Sequence, residues 1–143
     1  MIADAVVDAS VGIKLLIEEP GSLEADRLFA VLAASPPARF YVPDLFFIEC
    51  ANILWKYVRR FGYPAENARS DIADLLVLDL SAISTTALLP MALEQAIEYD
   101  ITVYDACYVV LAQELTFPLV TADKKLLRKL ADSEVEVKYL MEF

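Results

Sequence analysis

Residues 106–112 carry one polar side-chain group, the Tyr108 hydroxyl, and are otherwise apolar on every side. A run that is greasy all round and this long predicts a buried helix. Residues 117–122 follow as a short buried strand, and residues 124–130 read as another helix. At the other end of the chain, residues 5–8 predict a strand, and residues 11–19 a helix closed by Pro20-Gly21. Ser22 can cap the next helix, which runs to about Ala34, and Ser35-Pro36-Pro37 reads as a loop. Residues 40–42 predict a second strand stopped by Pro43. Asp44 then caps a long helix to about Phe61, where Gly62 can end it. Pro64 starts a helix to about Val77. Residues 80–85 read as a strand, Thr85 or Thr86 caps a helix to Tyr99, and the alternation over residues 135–139 predicts a final edge strand. Strands alternating with helices predict one α/β domain with a mostly parallel sheet and helices on its faces.

Projected as a helix, residues 44–61 gather Glu49, Asn52, Lys56, Arg59 and Arg60 into a polar stripe about 100° wide, with Phe46, Trp55 and Tyr57 among the apolar rest. Such a helix is covered on two sides, by its own core and by another subunit. Composition points the same way. Hydrophobic residues make up 58% of the 143, and mean hydropathy is +0.48. The most apolar region, residues 75–93, is broken by Asp79, a Ser/Thr cluster and Pro90, so it does not read as a membrane span. The surplus apolar content therefore predicts an interface. The first residues lack the basic start and apolar run of an export signal, which predicts a cytoplasmic protein with Cys50 and Cys107 as buried free thiols.

Charge and chemistry narrow the function. A net charge of −10 argues against a broad basic surface that holds nucleic acid. Two local clusters remain, Lys56, Arg59, Arg60 and Lys124, Lys125, Arg128, Lys129. There is no histidine, which removes imidazole acid–base chemistry and imidazole metal ligands. What remains is carboxylate chemistry, hence hard cations bound through oxygen. In a parallel sheet the strands' carboxyl ends and the following helix starts share one edge, where ligands bind. Asp8 ends the first strand, Glu49 comes soon after the second, Asp105 opens the buried helix, and Asp123 ends the strand before Lys124. Like charges gathered there call for a neutralising cation such as Mg²⁺ or Mn²⁺. Each acid also has an ordinary explanation: Asp105 and Asp123 as helix caps, Glu49 as part of a solvated stripe.

Residues 6–10 (V-V-D-A-S), 43–52 (P-D-L-F-F-I-E-C-A-N), 103–108 (V-Y-D-A-C-Y) and 120–123 (V-T-A-D), in this order and spacing, resemble the PIN-domain family. Within it they resemble the VapC-type ribonuclease toxins of bacterial and archaeal toxin–antitoxin pairs. The resemblance covers essentially the whole chain and implies a PIN-like three-layer α/β/α fold. It implies a Mg²⁺- or Mn²⁺-dependent endoribonuclease whose acids are Asp8, Glu49, Asp105 and Asp123, overriding the stripe explanation of Glu49. Ser10 and Thr121 match hydroxyl positions that support such a site; without the resemblance Ser10 would be the cap of the helix at Val11. Asn52, one turn beyond Glu49, joins them as a supporting residue. Lys14, Lys56, Arg59, Arg60, Lys124 and Lys125 are the candidate RNA contacts. The family further implies a homodimer, here expected to bury Trp55 or its helical neighbours, and an antitoxin seated in a second apolar groove. Cleavage is expected to leave 3′-hydroxyl and 5′-phosphate ends.

Overall fold

The strand nearest the N-terminus lies at the centre of the sheet. β1 (Ala5–Val7) has three side chains fully out of solvent, and the strand order is β3-β2-β1-β4-β5 with every neighbouring pair parallel. β2 (Phe40–Pro43) and β3 (Leu80–Ile83) extend one side; β4 (Leu119–Thr121) and β5 (Val137–Tyr139) extend the other. The chain thus winds outward from β1 in both directions, and the reversal falls between β1 and β4. Ligands of open parallel sheets bind at such a reversal. The computed structural model describes residues 3–34 and 36–143. Ser35 of the expected loop, and Met1 and Ile2, lie outside the described residues.

The helices that matter to the sheet edge are α1 (Ala9–Gly12), α3 (Leu45–Phe61), α6 (Val103–Leu115) and α7 (Lys124–Lys129). α6 is the buried helix that its apolar run predicts: residues 106–112 are at most 1% exposed, and it packs on β1, β2 and β4. α2 (Ser22–Ala30), α4 (Ala65–Leu76) and α5 (Thr85–Tyr99) complete the three-layer α/β/α arrangement, with α5 packed along α6. Gly62 ends α3 at φ 67°, a left-handed conformation that costs glycine little.

Several expectations need correction; Ser84, not Thr85 or Thr86, holds the cap position of α5. The helix expected over residues 11–19 is α1 plus a 3₁₀ turn, Ile13–Leu15, and it starts two residues early because Asp8 caps it, accepting a hydrogen bond from the Val11 amide. Ser10 is therefore not its cap. Gly21, left-handed at φ 100°, precedes α2, while the Ser22 hydroxyl accepts from the Glu19 amide and donates to the Ile17 carbonyl. Asp44 precedes α3 but does not cap it: its carboxylate accepts from the amide and hydroxyl of Thr85, and the Leu45 amide donates to Thr85 Oγ1 (3.1 Å). The cap of α6 is Thr102, whose hydroxyl accepts from the Asp105 amide, so the Asp105 carboxylate does not cap the helix.

Candidate active site

Asp8 is 4% exposed and anchored by both oxygens. The Ser10 hydroxyl donates to Oδ1 (2.5 Å) and the Thr121 hydroxyl donates to Oδ2 (2.5 Å). Each hydroxyl is itself pinned by the chain after β4: the Ala122 amide donates to Ser10 Oγ (2.9 Å), and the Asp123 amide donates to Thr121 Oγ1 (3.1 Å). One network therefore stitches the end of β1 to the end of β4. Burial pushes the Asp8 carboxyl from its ordinary 3.8 up to about 7. The bonds from Ser10 and Thr121 work against that rise, and the charge of Asp105 adds to it.

Asp105 is half-buried; burial raises its pKa first and the neighbouring Asp123 charge second, against the bond from Thr102. Glu49, half-buried on α3, is raised by burial and by Asp105, while a hydrogen bond from the Tyr108 hydroxyl to Oε1 (2.6 Å) works the other way. Asp105 is thus the common electrostatic neighbour of Asp8, Glu49 and Asp123. Asp123 is exposed and caps α7 through Oδ1, which accepts from the Lys125 and Leu126 amides at 2.9 and 3.3 Å. The cap explanation holds for Asp123, which also shares a cleft with Asp105. Among the described residues, no three acid or thiol side chains already surround a single point as a finished metal cage. An all-oxygen set in which Asp105 raises the pKa of Asp8 and Glu49 nevertheless suits a hard divalent cation, which relieves that repulsion.

The candidate supporting and RNA-contact residues divide. Lys125 lines a cleft of about 220 Å³ with Asp105, Asp123 and Thr102, and Lys129 at its rim donates to Asp100. Lys124 lies 5.8 Å from the centre of the Tyr139 ring. Asn52 is exposed one turn beyond Glu49 and hydrogen-bonds to none of the acids among the described residues. Lys56, Arg59 and Arg60 are exposed farther along α3, roughly 10–16 Å from Glu49 at the helical rise. Lys14 does not join the rim: its side chain is 14% exposed and its ammonium is paired with Glu19 at 2.9 Å, whose other oxygen accepts from the Tyr57 hydroxyl. Tyr108 is the site residue that sequence reasoning missed. Its signal was the lone hydroxyl in the apolar run, three residues after Asp105 and so on the same helix face.

A parallel α/β/α fold with acids gathered where its winding reverses defines a class, and comparison with known proteins gives that class a name. The PIN-domain pattern matches residues 5–132, and the chain belongs to the PIN-domain family. It is 35% identical over 127 residues to Ribonuclease VapC3 of Pyrobaculum aerophilum, covering 87% of this chain and 92% of the relative. The solved structure of PAE2754, also from Pyrobaculum aerophilum, superposes with a TM-score of 0.73 at 23% identity, over 98% of this chain and 85% of that one. A toxin–antitoxin complex from Klebsiella pneumoniae gives 0.66 at 18% identity, over 95% and 97%. Identities this low establish the shared fold.

Proposed function

We propose that the chain is a divalent-cation-dependent endoribonuclease and the toxin of a VapBC-type toxin–antitoxin pair, acting in the cytoplasm. What carries the reading is the placing of Asp105 as the charged neighbour of both Asp8 and Glu49, all three partly or wholly buried, on a chain 35% identical to a named ribonuclease. Asp8, Glu49, Asp105 and Asp123 would hold Mg²⁺ or Mn²⁺. When bound, such a cation supplies charge compensation for phosphoryl oxygens and acidifies water beside them. Ser10 and Thr121 hold Asp8 in one orientation, so its charge need not reorganise during reaction. Thr102 satisfies the first turn of α6, which frees Asp105 for the same centre. Lys125 offers a local cation where an RNA backbone enters an otherwise acidic molecule.

Two apolar surfaces fit the two protein partners. The groove between α3 and α4, about 350 Å³ and lined by Leu54, Trp55, Val58, Ala68 and Ile72, suits an apolar segment of the antitoxin. Trp55, expected at the self-interface, belongs to this groove. Leu89, Leu93 and Ile97 form an exposed stripe along α5 at four-residue spacing, which suits a second copy of the chain.

Digestion of structured RNA and of single-stranded DNA, side by side, tests the reading. RNA should be cut in Mg²⁺ or Mn²⁺ and left intact in excess EDTA, with the DNA spared. Undiminished cutting in EDTA, or equal digestion of the DNA, would contradict it.

A further inference from the structure

We infer that Tyr108 is a positioning residue for Glu49: its hydroxyl fixes one carboxylate oxygen and leaves the other to face the acidic centre. The inference rests on the nuclease reading and adds a residue to it. Tyr108 is 1% exposed and sits three residues after Asp105, so α6 presents the acid and the phenol on one face. Across from it, Glu49 projects from α3, and the 2.6 Å hydrogen bond to Oε1 is the link between the two helices at the site. A phenol carries its proton at neutral pH, so in this pair Tyr108 is the donor and the Glu49 carboxylate the acceptor.

A buried tyrosine needs a partner for its hydroxyl, so its contact with Glu49 could serve packing alone. The geometry argues for more. Tyr108 is the one side-chain donor that Glu49 has among the described residues, and Glu49 is half-buried beside Asp105, which repels it. Without that bond the flexible carboxylate is free to swing away from Asp105 toward solvent. Hydrogen-bond partners behind a metal ligand typically matter by about 10- to 100-fold in metal affinity.

A double-mutant cycle separates positioning from packing. Mn²⁺ affinity by calorimetry and single-turnover RNA cleavage are measured for wild type, Tyr108→Phe, Glu49→Gln and the double variant. Tyr108→Phe keeps the ring and should fold like wild type. Tyr108→Leu, which keeps apolar bulk without the phenol, serves as a second variant with the same expected loss. Tyr108→Phe should weaken Mn²⁺ binding on the order of 10-fold and slow cleavage in proportion. In the Glu49→Gln background the same change should shift either quantity by less than about twofold, because the group it acts through is gone. Wild-type behaviour of Tyr108→Phe, or the same loss in both backgrounds, overturns the positioning role while leaving the nuclease reading intact. A wild-type protein that neither binds Mn²⁺ nor cuts RNA overturns both.

Discussion

At the scale of single residues, Asp8 sets the energetics of the site. Its folded-state pKa of about 7 lies above the ordinary 3.8, so between those values the folded chain binds more protons than the unfolded one. Asp8 therefore contributes most at low pH, and that contribution is lost as pH rises through about 7; Glu49 and Asp105 are shifted in the same direction. For the cation-free protein the expected outcome is a lower melting temperature at pH 8 than near pH 5.5. Asp8→Asn should flatten that slope and melt several degrees above wild type at pH 8, since a buried charge held this far from its ordinary pKa costs on the order of a few kcal/mol. Melts in EDTA at the two pH values check it. A wild type at least as stable at pH 8, or a variant with an unchanged slope, would show that Asp8 is not the strained carboxylate described above.

At the scale of elements, the most telling device is the crossed cap between α3 and α5. Thr85 Oγ1 accepts from the Leu45 amide at the start of α3, and Asp44 accepts from the Thr85 amide at the start of α5. Each helix start is satisfied by a residue from the other. Thr85→Ala should cost about 1 kcal/mol, a few degrees in melting temperature, and leave cleavage unaffected because the acids lie elsewhere. Lost cleavage in a folded Thr85→Ala protein would mean that this contact reaches the site. Sequence pattern made α3, α6, the strand–helix alternation and the Gly62 stop legible, because those signals are local in period and residue type. The crossed cap was not legible, since its partners are 40 and 41 positions apart. Nor was the fate of Lys14, which pairs with Glu19 across the turn that α1 makes by stopping early. The acids were legible as strand ends and helix starts. The Tyr108–Glu49 bond needed α3 and α6 brought side by side.

At the scale of the whole molecule, the chain combines an acidic surface with two exposed apolar faces. A net charge of −10 repels RNA at a distance, so on the proposed ribonuclease function steering would come from the few lysines and arginines near the sheet edge. Exposed apolar residues of α3 and α5, among them Ile48, Trp55 and Ile97, add to the buried core in the high hydrophobic content, and no helix among the described residues is long and apolar enough to cross a membrane. The edge carrying Asp8, Glu49, Asp105 and Asp123 is proposed as the cutting centre of a cation-dependent ribonuclease. Product-end analysis tests it most directly, with wild type and Asp105→Asn digesting the same RNA in Mn²⁺. The account predicts 5′-phosphate and 3′-hydroxyl ends from wild type, and a rate lower by on the order of 10²-fold or more for Asp105→Asn. Products ending in 2′,3′-cyclic phosphate, or full activity in Asp105→Asn, would contradict it.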